Sequence, residues 1–223
     1  MTFRHSLPFV IAILFVWSST PPPPAVLGVV MEANRGHLNR GEASAGTTVY
    51  DGDDFSTEPG GMLLLRGDAI TLELGEESSV VVRRKMDGQG TRAELTTGTL
   101  LFKATRAAAL EIEALDGRLC PIADTLTMAQ VSVVEPRELR IYARRGALLF
   151  SYRGESKTIV EGTAFRVILD APEDQPQNAG ARKAGRQSRA VLFVAIGAGV
   201  AGASWAAHER HHHHKPPESP DGP

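Results

Sequence analysis

Between Val26 and Leu169 apolar and polar residues alternate in short runs broken by glycines. No stretch there holds a 3.6-residue period over the roughly 10 to 12 residues that a helix needs. In Ala69-Ile-Thr-Leu-Glu-Leu the residues Ile70, Leu72 and Leu74 fall on one side and Thr71 and Glu73 on the other. Leu110, Ile112 and Ala114 alternate in the same way against Glu111 and Glu113. Two-residue alternation predicts strands with one face buried and one wetted. Arg66-Gly67-Asp68, Asp116-Gly117 and Arg145-Gly146 interrupt the runs where a chain reversal needs positive φ or a flexible backbone, so hairpins should dominate. Ala104 to Leu115 contains Arg106-Ala-Ala-Ala-Leu-Glu, whose intrinsic propensity favours helix. The alternation after it leads us to read strand there too. Thr97-Gly98-Thr-Leu-Leu-Phe is echoed by Arg145-Gly146-Ala-Leu-Leu-Phe, which suits stacked β-units or a sandwich built of similar hairpins. The fold class expected is all-β: one domain of short strands and hairpins, a sandwich or a short solenoid.

Two apolar segments depart from this pattern. Leu7 to Trp17 follows Arg4 and His5 and precedes Ser18-Ser19-Thr20, which is the order of a secretory signal. It falls short of the roughly 20 residues of a spanning helix, and no small-residue cleavage site precedes Pro21 to Pro24, so a processed signal and a retained anchor both stay open. Ala190 to Ala207 is 18 uncharged residues and reads as a transmembrane helix. Gly197/Ala201 and Gly199/Ala203 repeat at the four-residue spacing that lets two membrane helices approach, so a homodimer through this helix is a possible partner state. The expected organisation is 1–24 signal-like segment and proline-rich exit, 25–170 β-domain, 171–189 polar and basic linker, 190–207 transmembrane helix, and 208–223 His- and Pro-rich tail. Arg182, Lys183, Arg186 and Arg189 before the helix would favour a cytoplasmic linker, whereas the N-terminal segment favours export. We expect export, with a cytoplasmic, tail-anchored placement as the alternative.

Charge and residue usage narrow the chemistry. With 24 basic against 26 acidic residues the chain has no field for drawing in nucleic acid, and none is expected as a partner. The single cysteine, Cys120, rules out an internal disulfide. Of seven histidines only His37 lies in the β-domain, too few for a histidine-based acid/base site. Cys120, set among Leu119, Pro121 and Ile122, reads as a buried inert thiol rather than half of a nucleophilic pair with His37. Asp51, Asp53, Asp54 and Glu58 lack the spacing of a calcium loop and read as a solvated turn. Arg66-Gly67-Asp68 reads as a turn and not as an adhesion tripeptide. The His208 and His211 to His214 tail is expected to be a solvated segment, metal binding being the less favoured reading. No enzyme activity, catalytic residue, metal site or cofactor is expected.

The stretch from Gly46-Thr-Thr-Val-Tyr-Asp-Gly52-Asp53 through Gly60-Gly61-Met-Leu-Leu-Leu-Arg-Gly67-Asp to Ile70, Leu72 and Leu74 resembles the FecR domain. Gly98 before Leu100 and Phe102 resembles its second block, and Gly146 through Gly154 and Gly162 to Val167 its closing block. The ordered set covers most of Val26 to Leu169, although each Gly-Asp turn alone is common. The resemblance implies an extracytoplasmic β-domain that relays the state of an outer-membrane transporter to a cytoplasmic σ factor. Those regulators carry an anti-σ domain before their membrane helix, whereas six residues precede Leu7 here, so a direct hold on a σ factor is not expected. The expected function is a non-enzymatic protein of the bacterial inner membrane with its β-domain in the periplasm. It would bind a protein or cell-wall component, or relay an extracytoplasmic signal. The alternative is a scaffold that oligomerises through the Gly/Ala-rich helix.

Overall fold

The computed structural model describes residues 24–169 and 191–196. The signal-like run, the linker, most of the predicted helix and the His-rich tail lie outside the described residues. The chain runs as β1 (Val26–Leu38), β2 (Gly41–Glu42), β3 (Thr48–Tyr50), β4 (Asp54–Arg66), β5 (Ile70–Leu74), β6 (Ser79–Arg84) and β7 (Thr91–Ala104). After one 3-10 turn (Ala107–Ala109) come β8 (Leu110–Ala114), β9 (Gly117–Pro121), β10 (Thr127–Glu135) and β11 (Glu138–Arg145). The last strands are β12 (Leu148–Tyr152), β13 (Glu155–Ile159), β14 (Ala164–Leu169) and β15 (Val191–Ile196). All fifteen belong to one hydrogen-bonded sheet, so the all-β expectation holds for the described residues.

That sheet folds over because its long strands change neighbours halfway. Thr91 to Thr97 of β7 pairs with β6, and Thr91 to Leu95 also pairs in parallel with β8. Gly98 to Ala104 of the same strand pairs with β5 and β10. In β4, Asp54 to Ser56 pairs with β6 and Leu63 to Arg66 with β5, while β1 follows β4 on both sides of an irregularity between Asn34 and Gly36. One layer therefore reads β4-β6-β7-β8-β9-β12-β13 and the other β4-β5-β7-β10-β11-β14-β15. Corners made by strands that switch layers at bends are how a single sheet closes over a core. The core holds Phe55, Leu65, Leu72, Leu95, Phe102 and Phe150, each at most 2% exposed. Each such side chain contributes about 1.5 to 3 kcal/mol by leaving water. Phe150 of β12 meets Phe193 of β15 edge-on at 5.6 Å, joining the two layers at their far end.

Several local expectations are met and several are corrected. Ile70, Leu72 and Leu74 are buried, with Thr71 and Glu73 half-exposed, as alternation predicts. On β8 the expected wet face is covered instead: Glu111 is 8% exposed because Arg92 and Arg118, from the flanking strands, close over it. Residues Ala107–Ala109 form a 3-10 turn, so the strand expected from Ala104 to Leu115 is interrupted there. The reversal predicted at Asp116-Gly117 lies one residue earlier, at Leu115 (φ 48°) and Asp116 (φ 61°), whose positive φ values suit a two-residue hairpin. Gly117 is needed for space: a Cβ there would sit 2.8 Å from the Phe150 ring. Gly67 likewise makes room, since its Cβ would lie 2.9 Å from the Leu27 carbonyl oxygen.

The largest correction concerns the transmembrane helix predicted for 190–207. Its residues Val191–Ile196 form a strand, β15, paired along its length with β14. Val-Leu-Phe-Val is rich in β-branched and aromatic residues, which a sheet favours, and hydropathy alone does not separate such a run from a membrane helix. Among the described residues no helix is long and apolar enough to cross a membrane. The remainder of that segment, with the Gly197 and Gly199 spacing expected to support a homodimer, lies outside the described residues.

Candidate functional site

The residues weighed for catalysis are held in separate structural roles. His37 Nε2 lies 2.9 Å from Glu58 Oε1 on the surface, where β1 passes β4. Cys120 stands on β9, five strands away along its layer, or about 24 Å at the usual strand spacing. The thiol faces Glu111 Oε2 at 4.0 Å. Burial first, and the Glu111 charge second, push its pKa up, which suppresses the thiolate a nucleophile requires. Around it Arg92 Nε approaches Glu111 Oε1 at 2.9 Å, while Arg118 reaches Glu111 and Glu113 at 3.3 Å. These four charges are brought together by the register of β7, β8 and β9, with Arg92 opposite Glu111 and Glu113 opposite Arg118. They form a cross-strand ladder that compensates the buried Glu111.

The acidic loop is also structural. Asp53 accepts hydrogen bonds from the Tyr50 amide and from Asn39 Nδ2, and Asp51 accepts one from the Arg84 amide. Carboxylates spent on backbone amides in this way are turn caps. Among the described residues no group of three or more His, Cys, Asp or Glu side chains is placed to hold a metal ion.

The concave feature of interest is a cleft of about 520 Å³ at one end of the fold. It forms where the start of β1, the β4–β5 turn, the β6–β7 hairpin and the 3-10 turn converge. Gly90 makes this convergence possible: at φ 94° it lets the hairpin press against the 3-10 turn, and a Cβ would come within 2.7 Å of the Ala109 carbonyl oxygen. Asp124 Oδ1 accepts the Ala107 amide at 2.8 Å and Lys85 Nζ donates to the Ala108 carbonyl at 3.1 Å, so the turn is pinned from both sides. At the hairpin tip Asp87 accepts the Gln89 amide, which with Lys85 holds its carboxyl below the usual range.

Ile70, Thr91 and Ala109 make a buried floor, while the rim carries Asp68, Arg84, Gln89, Arg106 and Asp124. Asp68 and Arg106 meet across it at 2.5 Å, in a pair so exposed that it adds little stability. Asp68, the last residue of the Arg-Gly-Asp tripeptide, is thus a rim carboxylate facing an arginine. An apolar floor with polar groups of both signs around it suits a ligand offering amides and a charge or two. The cleft escaped sequence reading because its parts come from Val26, Asp68, Gln89, Arg106 and Asp124, nearly 100 residues apart in the chain.

No family model matches this chain. No curated protein matches it either. Among solved structures it is similar to one described as "a putative anti-sigma factor from Parabacteroides distasonis", with 11% identity and a TM-score of 0.45. The likeness covers 52% of this chain and 54% of that protein, so the chain spans about half of its length.

Proposed function

We propose that this chain is a FecR-like, non-enzymatic binding domain of the bacterial envelope, which takes a protein or cell-wall segment at the cleft and relays its presence. The observation that carries the reading is the cleft itself: an apolar floor rimmed by Asp68, Arg84, Arg106 and Asp124. The blocks that resemble FecR fall on β3 to β5, on the second half of β7 and on β12 to β14. Export is supported by the signal-like Leu7 to Trp17 run. Attachment to the inner membrane rests on that same run, retained as an anchor instead of being cleaved.

Two measurements test the proposal in cells carrying the full chain. A photo-crosslinking residue at Gln89, on the rim, is expected to give a discrete adduct that Arg106→Glu abolishes. The same residue at Glu94, on the outer face of β7, is expected to give none. Equal labelling from both positions would remove the cleft from the proposal. A reporter active only outside the cytoplasm, fused after Leu169, is expected to be active, and silence would remove the envelope.

A further inference from the structure

β15 occupies its place under unusual terms. Leu169 lies directly opposite Val191, the pairing of a tight hairpin, yet 21 residues (170–190) separate them in the chain. Hairpins joining directly opposed residues normally use about 2 to 5 residues. The place of β15 is therefore not fixed by a tight turn. What holds the strand is the slot. Six consecutive residues pair with β14. Val191 is 4% exposed. Phe193 stands edge-on against Phe150 at 5.6 Å and Phe165 at 6.2 Å, with Lys157 Nζ about 5 Å above the rings of Phe165 and Phe193. The outward residue Val194 is 42% exposed, so the strand is apolar on both faces although it lies at a sheet edge.

We propose that the edge of β14, with the socket of Phe150, Phe165 and Lys157, is a strand-accepting site for an extended apolar peptide bearing an aromatic residue at its third position. Val191–Ile196 is its resident and displaceable occupant. Backbone pairing supplies affinity for any extended segment, and the ring socket fixes register and selects the aromatic. A partner strand competes with β15 for the same edge, so the site opens only to a strand that pairs better than the resident one or after the resident one is withdrawn. The site lies on β12 to β14, on elements that contribute nothing to the cleft, and stands or falls apart from it.

The test uses the full chain and a fluorescent Val-Leu-Phe-Val-Ala-Ile peptide with lysines added at both ends for solubility. Phe193→Ala, which weakens the resident strand, is expected to bind the peptide about tenfold more tightly than the unaltered chain. Ile168→Cys with Leu192→Cys, in a Cys120→Ser background, joins directly opposed positions whose Cα atoms lie about 4.5 to 5.5 Å apart in such a pair. Oxidation is expected to abolish peptide binding and reduction to restore it. A peptide with aspartate in place of phenylalanine is expected not to bind. Arg106→Glu is expected to leave peptide binding unchanged, so that loss of the cleft function and loss of this site are told apart. Binding that survives oxidation, a bond that fails to close, or no binding by a Phe193→Ala chain that keeps its strand circular dichroism would each overturn the proposal.

Discussion

Two glycine corners carry strands from one layer to the other, and they are built on different partners. Gly98 in β7 and Gly146 between β11 and β12 each open the phrase Gly-x-Leu-Leu-Phe, with φ 78° and 74°. Each faces a hydroxyl residue that is 1% exposed, Ser78 for the first and Thr127 for the second. At Gly98 the hydroxyls close a buried network. Thr57 Oγ1 donates to the Gly75 carbonyl and accepts the Ser78 amide, while Ser78 Oγ accepts the Thr99 amide and shares its one proton between the Glu76 carbonyl at 3.0 Å and the Thr99 carbonyl at 3.1 Å. At Gly146 the Thr127 hydroxyl donates locally to the Thr125 carbonyl, and the Gly146 amide turns outward to Glu161 Oε2 at 2.9 Å. A corner whose hydroxyls bond one strand to another is expected to yield less than one whose hydroxyl bonds only within its own turn.

The sharpest way to break the comparison is Gly98→Ala. The new Cβ would fall on Ser78 Oγ and lie 2.5 Å from Ser78 Cα and 2.7 Å from the Glu77 carbonyl oxygen, so backbone must move. Left-handed strain of about 1 to 2 kcal/mol and overpacking of about 1 to 3 kcal/mol together give a loss of about 3 kcal/mol or more in chemical denaturation. Adding Ser78→Ala is expected to recover none of it. Thr57→Val comes next, at about 2 kcal/mol by the same measurement, because it leaves the Ser78 amide and Gly75 carbonyl buried without their partner.

Gly146→Ala is expected to cost less, about 2 kcal/mol. Its Cβ would meet Thr127 Oγ1 at 2.7 Å, but Thr127 Cα lies at 3.2 Å, so a side chain rather than the backbone is in the way. A double-mutant cycle with Thr127→Ala is therefore expected to show rescue of about 0.5 kcal/mol or more, where the Gly98 cycle with Ser78→Ala shows none. Rescue at both corners, or at neither, would erase the distinction.

The echo of the two glycine phrases was legible in the chain because the same backbone requirement selects the same residue. What each glycine faces was not, because Ser78 and Thr127 reach those corners only through long-range pairing. The same limit governs β8. Period-two alternation located Leu110, Ile112 and Ala114, but the burial of Glu111 depends on Arg92 arriving by a parallel pairing that no local pattern announces. The segment from Ala190 misled for another reason: an edge strand apolar on both faces has the hydropathy of a membrane helix, and only its pairing with β14 reveals the strand. The cleft is the extreme case, assembled wholly from turns.

The smallest effect calibrates the rest. Gly162, before β14, has φ 77°, nearly that of both corner glycines, yet a Cβ there would meet nothing within 4 Å. Gly162→Ala thus isolates the left-handed strain, and about 1 kcal/mol is expected in chemical denaturation. Gly162→Asn should cost less still, since asparagine tolerates that conformation. Subtracting this loss from those of Gly98→Ala and Gly146→Ala leaves the steric part of each corner. If Gly162→Ala costs as much as Gly98→Ala, backbone conformation alone explains all three glycines, and the buried network around Ser78 loses its claim to rigidify the fold.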